Sequence, residues 1–599
     1  MMKPIKGYFA QLKRLLMLIK KKQPGFMVSG TLYALFTGIT AFLSVRGAGI
    51  VLDYLQNQNG NNPFPMWVLI CWAIGVCNIA FWGSKYESRI FGLFLKFVED
   101  VSRTSMRIKY ALTMDSDTLS LANKAQTAVC GTGIGIHKTL TGLSEIVQNL
   151  MGCILTGTIL GECGLLLPCF CFFMILVVGY GNRKIAEITV RYKEKSSENQ
   201  RKKYRMHMIM SDFSYGKDVR LLDCAPWLMR KQLKINEEGI ALKIAENKEK
   251  IGYQILVVAL IFLREAVALL AFIILWINGR ISAGQFVALL LGLRAFSVYG
   301  EGLLKAINDV AAEQEYVKSY FDYVSLADEE TERTPREYST PKIEFKNVTF
   351  RYPGTSENVL ANFSMVIHPG EKIALVGLNG AGKTTIVSLL CRFFDPDEGE
   401  ILIDDVPVSN GSFAEHMDRI ASVFQDSDLF AFSLWSNITM KEEKDHSPEE
   451  EEKVKAILRQ LKLTDKISED ENLVLRQVTK RFDEHGFNFS GGEKCKLALA
   501  RAIYKNAGIV LLDEPTAALD PIAEGELYSL FDELCCGKTM VYISHRMAST
   551  KFCDRILYLE QGRVIEEGSF GSLMELHGRF SNLYETQSKY YQEELAYEK

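Results

Sequence analysis

At 599 residues the chain is too long for a single hydrophobic core and divides into domains. A formal net charge of −3 leaves no basic footprint for nucleic acid. Thirteen cysteines, an odd number with no C-x-x-C pair, argue against a disulfide framework or a zinc site.

The N-terminus is basic, and no small-residue cleavage site follows a short apolar core, so no cleavable signal peptide is expected. Residues 7–19 set Tyr8, Phe9, Leu12, Leu15 and Ile19 among lysines, the pattern of an amphipathic helix at a membrane surface. Six apolar stretches follow: Gly25–Leu55, Phe64–Trp82, Lys138–Leu160, Leu165–Tyr180, Gly252–Ile277 and Ala283–Asn308. Several are long enough to cross a bilayer. The connections 56–63, 161–164 and 278–282 are short and carry only Arg280 as a positive residue, whereas 83–137 and 181–251 are long and rich in Lys and Arg. Positive residues stay on the cytoplasmic side, so the N-terminus, both long connections and the second half of the chain are expected there.

The long connections keep apolar residues at helical spacing and read as helices running on into the cytoplasm. Their tips need short transverse segments, for which Met114–Leu119 and Leu221–Leu228 are the expected places, Pro226 suiting a helix start. Arg46, Glu145, Arg264, Glu265 and Arg294 fall within or near the spans. Charge in lipid is costly, so these side chains face protein or a water-filled cavity. Opposite charges nearby favour pairing across helices over cargo contact, except at Arg46, which has no acidic neighbour one helical turn away. Arg46 and Arg294 suggest a cavity that tolerates an anionic group.

Residues 325–341 are polar, charged and proline-containing, and read as a linker between a domain at 1–324 and a second at 342–599. Beyond it Ile343–Phe345 and Val348–Phe350 alternate as strands, and Tyr352 follows. Lys372–Val376 is an apolar strand running into Gly377-Leu378-Asn379-Gly380-Ala381-Gly382-Lys383-Thr384-Thr385, with a helix start at Ile386. That is the phosphate-binding pattern G-x-x-x-x-G-K-[ST] in its required strand–loop–helix setting. Glycines let backbone N–H groups approach phosphate oxygens, Lys383 reaches the β/γ-phosphates, and the Thr384 hydroxyl sits on Mg²⁺.

Further on, Ile420–Phe424 reads as a strand ending at Gln425, and Glu449–Leu463 as a helix. Ser490-Gly491-Gly492-Glu493 opens a helix over Lys494–Tyr504, a second anion-binding end. Ile509–Glu514 is an apolar strand closing on two carboxylates, Asp513 for Mg²⁺ and Glu514 to orient or deprotonate water. Met540–Ser544 is a strand ending at His545.

This set of motifs resembles an ATP-binding cassette (ABC) exporter half-transporter over almost the whole chain. The resemblance implies an all-α six-helix transmembrane domain with long cytoplasmic extensions, followed by an α/β P-loop ATPase domain. Tyr352 matches the A-loop aromatic, Gly377–Thr385 Walker A, Gln425 the Q-loop, and Phe489–Glu493 the signature. Asp513 with Glu514 matches Walker B, Ala518–Asp520 the D-loop and His545 the switch histidine. It implies nucleotide binding by Tyr352, Gly377, Asn379, Gly380, Gly382, Lys383, Thr384, Thr385, Ser490, Gly491 and Gly492. Gln425, Glu514 and His545 are implied in catalysis, and Thr384, Gln425 and Asp513 in holding Mg²⁺. The two transverse segments become coupling helices that dock on ATPase domains.

In the family, Ser490 and Gly492 touch ATP held by a partner's phosphate loop, so the implied unit is a dimer of half-transporters. Glu493 stands where the family usually has Gln, and Ala517-Ala518 where a serine is common. A negative charge near a phosphate site points to a heterodimer, with this chain supplying the intact Walker half. No peptidase domain precedes the spans, which disfavours the leader-cleaving peptide exporters. The expectation is an integral protein of the cytoplasmic membrane, with its ATPase domain in the cytoplasm, that contacts membrane lipid and uses ATP and Mg²⁺ to export a peptide, lipid or amphipathic small molecule. Import of a chelated metal and a sensory role without flux are the alternatives.

Overall fold

A computed structural model describes residues 2–597, apart from 57–63, 132, 328–339, 411, 425–428, 464–472, 480–483, 485, 488, 516–524, 526, 529–530 and 532–536. The expected Q-loop Gln425 and D-loop Ala518–Asp520 lie outside the described residues. The chain forms two compact units. One is Met1–Arg107 with Asp117–Ala327, and the other is Ile108–Ser116 with Asp328–Lys599.

The first unit is helical. A surface helix, α1 (Met2–Lys22), precedes α2 (Gly25–Gln56), α3 (Met66–Arg107), α4 (Ser116–Cys130), α5 (Gly135–Gly161) and α6 (Leu166–Ser211). A short α7 (Gly216–Leu221) leads to α8 (Ala225–Ile277), α9 (Ala283–Ala312) and α10 (Gln314–Val324). Six helices are long and apolar enough to cross a membrane, and they begin at Gly25, Met66, Gly135, Leu166, Ala225 and Ala283. These starts agree with the apolar stretches, except that the fifth helix begins well before its apolar part. With 42, 46 and 53 residues, α3, α6 and α8 run far past the ~20 residues a bilayer needs.

Small residues let the spans approach. A Cβ on Gly284 would lie 2.2 Å from the Gly49 carbonyl oxygen, so α2 and α9 meet backbone to backbone there. Asp53 fixes the same crossing, accepting from the Ser282 hydroxyl and the Gly284 N–H, each at 2.8 Å. Ser282 and Gln285 close a capping box on the first turn of α9.

The charges within the spans mostly pair. Arg264, 1% exposed, reaches Glu301 at 3.1 Å and Glu265 at 3.4 Å. Lys138 lies between Asp309 (3.1 Å) and Glu145 (4.0 Å). Arg46 departs from expectation. Its guanidinium donates to Glu162 at 2.8 Å, joining α2 to the end of α5. The partner is distant in sequence, which is why no neighbour was visible one helical turn away. Arg294 is exposed on α9, with no ion-pair partner among the described residues.

Both tips sit earlier than expected. A 3₁₀ turn occupies Tyr110–Met114, and Ser116 already opens α4. Asp117 stands in the first turn of α4, where a carboxylate suits the helix dipole. At the second tip, Phe213–Tyr215 and α7 form the short segment. The chain reverses at Asp223, whose φ is 46°, and Pro226 lies in the first turn of α8 as expected.

The second unit is built on two sheets. An antiparallel sheet has the order β2-β1-β4-β5, with β1 at Ile343–Phe350, β2 at Leu360–Ile367, β4 at Glu398–Ile403 and β5 at Val406–Pro407. The other runs β10-β9-β3-β8-β7-β6. Its strands are β3 (Lys372–Gly377), β6 (Ile420–Val423), β7 (Ile509–Asp513), β8 (Thr539–Ile543), β9 (Arg555–Glu560) and β10 (Arg563–Gly568). It is parallel except for the edge strand β10.

The central strands are apolar throughout because both faces are covered. Ile373, Leu375, Leu511, Val541 and Ile543 join one core with α11 (Lys383–Leu390) and the antiparallel sheet. Ala374, Val376, Leu512, Met540 and Tyr542 join the other. That second core takes in α13 (Leu434–Thr439), α14 (Pro448–Gln460) and α15 (Gly491–Lys505), α12 being Phe413–Asp418. It also reaches α16 (Phe570–Glu575) and α17 (Arg579–Tyr597). The Tyr110–Met114 turn belongs to this unit. Tyr110 packs on Phe393 (4.9 Å between ring centroids) and edge-on to Phe394 (5.7 Å), and Lys109 lies 3.7 Å from Asp395.

His416 on α12 braces the far end of α11, its Nε2 donating to the Leu390 carbonyl at 2.7 Å. Burial pushes its pKa down to about 4, helped by Arg392 and Arg419 and opposed by that bond. The imidazole therefore stays neutral in the fold but protonates near 6.5 when unfolded. Its contribution is complete above about 6.5 and is lost as pH falls to about 4, at most about 3 kcal/mol. Melting the protein at pH 7 and pH 5 should show a smaller drop for His416→Gln than for the wild type, and an equal drop would refute this account.

Candidate functional site

The parallel register brings the chemistry to one edge. Leu375 of β3 and Asp513 of β7 both pair with Ile543 of β8, so the loops after β3, β7 and β8 emerge side by side. Ligands of open α/β sheets bind outside the carboxyl ends of such strands.

The loop after β3 needs its glycines. Gly377, Gly380 and Gly382 have φ of 149°, 82° and 99°, where a side chain is strained. A Cβ on Gly377 would also lie 2.2 Å from the Leu559 carbonyl oxygen. Gly382 caps α11 in the left-handed conformation, and Lys383 is its first residue. The Lys383 side chain folds back into the loop, donating to the carbonyls of Gly377 (2.9 Å) and Leu378 (3.1 Å). It is 5% exposed, and burial holds its pKa below the ordinary lysine value, against the pull of Glu514 and Asp513. Asn379 and Thr384 are exposed at the mouth, while Thr385 is buried.

Tyr352 covers that helix end. Its hydroxyl lies 3.0 Å from Thr385 Oγ1, and its ring meets Phe350 and Phe394 edge-on at 5.1 and 5.2 Å. The aromatic is thus fixed over the first turn of α11 by a local cluster.

Asp513 is 7% exposed at the end of β7. Burial, then Glu514, raises its pKa to about 6, with Lys383 opposing. A buried carboxylate whose pKa is raised, and an exposed hydroxyl at Thr384 next in sequence to the Lys383 that acts on it, are oxygen donors that suit a hard divalent cation such as Mg²⁺. Glu514 leaves the strand at φ 49°, a strained conformation for a residue with a side chain. Its N–H donates to the Ile543 carbonyl at 3.0 Å, and its Oε1 lies 2.5 Å from His545 Nε2.

Sequence reasoning missed what holds His545. Gln587 of α17 donates to the His545 carbonyl at 2.8 Å and accepts from the Met547 N–H at 3.1 Å. Nothing local in the sequence marks Gln587 for this.

Ser490 caps α15, with Gly491 and Gly492 in its first turn. The departure at position 493 has a local role: Glu493 accepts from the Ser490 N–H at 2.7 Å, and the Ser490 hydroxyl accepts from the Glu493 N–H at 3.4 Å. The S-x-x-E spacing is the sequence signal for this capping box, which the sequence reading missed.

Residues 360–517 match the family model described as ABC transporter. Over 322 residues the chain is 36% identical to the ATP-dependent lipid A-core flippase of Methylobacillus flagellatus, covering 53% of this chain and 54% of that protein. It is 28% identical over 416 residues to the subtilin transport ATP-binding protein SpaT of Bacillus subtilis, covering 69% and 66%. It is 39% identical over 244 residues to the beta-(1→2)glucan export ATP-binding/permease protein NdvA of Agrobacterium fabrum, covering 41% and 40%. The chain spans about half the length of the first curated relatives it matches. Among solved structures, a bacterial Atm1-family ABC exporter with ATP bound superposes with a TM-score of 0.73 at 21% identity, covering 95% of this chain and 99% of that one.

Proposed function

We propose that the chain is a half-transporter of the ABC exporter type and that it couples ATP hydrolysis to export of an acidic amphiphile. The observation that carries the ATPase reading is Lys383 held inside its own loop within reach of the charges of Glu514 and Asp513, with Glu514 in turn against His545. In this reading the loop glycines and the α11 N-terminus bind phosphate oxygens, with Lys383 turning from carbonyls to phosphate. Tyr352 flanks the base, and Thr384 and Asp513 hold Mg²⁺, with Gln425 as the further ligand the family implies. The cation, when bound, neutralises charge on the β- and γ-phosphates. Glu514 orients and deprotonates the attacking water, and His545 holds Glu514 and the γ-phosphate in line.

The proposed domains are 1–324 and 342–599, joined by 325–341. The Tyr110–Met114 turn follows α3 directly in the chain, which supports its role in passing closure of the ATP sites to the spans. The Ser490-Gly491-Gly492 end of α15 would close a partner's site, which makes a dimer the working unit. A different chain is the favoured partner. The Glu493 carboxylate sits at the helix end a phosphate would use, which would weaken the site that this end completes. Weighing the intact complex tests this: two different chains are expected, and a mass of two identical chains refutes it.

Arg294 supports the cargo class. It is exposed eleven residues into α9, about 17 Å from the helix start, where contact with lipid would be costly. A water-filled cavity that takes an acidic head group would satisfy it. The glucan exporter among the relatives supports outward movement. In inside-out vesicles of the cytoplasmic membrane, ATP should drive uptake of an acidic fluorescent amphiphile faster than of its neutral analogue. ATP-driven loss from preloaded vesicles would indicate import, and substrate-insensitive ATPase without flux would indicate a sensory role.

A further inference from the structure

Within the first unit, a pocket of about 540 Å³ opens between α1, α3 and α10. The helix α1 is anchored there by Leu15 and Ile19, both 0% exposed, while Met17 stays 58% exposed beside the pocket. One carboxylate lines the pocket, and its charge is already committed. Asp100 accepts from Lys22 at 2.7 Å through one oxygen and from the Tyr320 hydroxyl through the other. Two further cations on the lining, Arg14 and Lys21, have no ion-pair partner among the described residues. Arg14 lies over the Phe321 ring, 4.3 Å from its centroid. Seven residues apart, the two stand two helical turns apart on one face, about 10 Å from each other along α1.

The depth suits a lipid head group. The pocket borders the end of α1 that leads into the first membrane-length helix, α2. Met17 and Leu18 of α1 and Phe321 and Val324 of α10 line the pocket beside its cations, so its walls are partly apolar. An apolar rim, cationic walls and an amphipathic helix together match a molecule that is acidic at one end and greasy at the other.

We propose that this pocket binds the phosphate head group of an anionic phospholipid from the leaflet on the ATPase side, held by Arg14 and Lys21, with its chains along Met17 and Leu18. The bound lipid would seat α1 against the bundle. None of the pocket residues lies on α9, the helix that carries Arg294.

The test uses the full-length protein in whatever complex it forms, relipidated with phosphatidylglycerol and phosphatidylcholine in equal amounts. Native mass spectrometry reads which lipid is retained. Phosphatidylglycerol should be retained in excess, and the excess should fall on the order of fivefold for each cation removed in Arg14→Gln and Lys21→Gln. The charge-preserving Arg14→Lys with Lys21→Arg should keep it. Basal ATPase activity and melting temperature of each variant report whether it folds. The wild type alone supplies a second reading, because the excess should shrink as ionic strength rises. No excess, or an excess unchanged in Lys21→Gln, overturns the proposal. An excess abolished by inorganic phosphate alone overturns the lipid assignment in favour of a free-phosphate site.

Discussion

Glu514→Gln is expected to lower ATP turnover by a factor on the order of 10²–10⁴ while leaving ATP binding intact. The geometry separates the two effects. Glu514 sits one residue past the buried Asp513, and its N–H is tied to the neighbouring strand at Ile543. Glutamine has the same shape and keeps a carbonyl oxygen for His545, 2.5 Å away in the wild type. What it loses is the ability to take a proton from water. Losing that charge also removes the one side chain that adds to burial in raising the pKa of Asp513, so Asp513 ionises more readily and cation binding should not suffer. Phosphate release and titration with a fluorescent ATP analogue measure the two quantities separately. Unchanged turnover, in a complex whose other site is degenerate, would remove Glu514 from the role of base. Joint loss of turnover and binding would make it a structural residue.

The readable parts of this protein are those whose physics is local. Gly377, Gly380 and Gly382 announce positive φ, Lys383 and Thr384 follow at fixed spacing, and the apolar run Ile509–Leu512 announces a strand buried on both faces. Six apolar stretches announce six spans, because bilayer thickness sets their length. Contacts between segments distant in sequence leave no such mark. Glu162 is 116 residues from the Arg46 it pairs with, and Gln587 is 42 from the His545 it steadies. The tips were misplaced by a few residues because hydrophobic spacing continues through them. The boundaries lie where the backbone leaves helical angles, turning extended at Asp115, and at Cys224, which precedes α8 without a side-chain cap. Glu493 shows the opposite failure. Its capping partner Ser490 is only three residues away, so its place in the helix end is local and readable, whereas its charge near a phosphate draws attention first.

Lys383→Ala is expected to weaken ATP binding on the order of 10²-fold or more, because it removes the one cation at the centre of the loop. The lysine is already desolvated before nucleotide arrives. At 5% exposure its ammonium has given up most of its water and donates instead to the Gly377 and Leu378 carbonyls. Phosphate oxygens therefore replace two neutral acceptors with charged ones, at little further cost in dehydration. Alanine leaves those carbonyls pointing at the incoming phosphates, so an attraction becomes a repulsion. The apo domain should tolerate the change. Burial works against the charged lysine, and the glycine conformations, not the lysine, set the course of the loop. A melting temperature within a few degrees of the wild type, with the fluorescent analogue no longer bound, is the expected pair of results. Retained affinity would mean that the loop amides alone bind the phosphates. Collapse of the apo melting temperature would mean that Lys383 holds the loop together and that its loss says nothing about nucleotide.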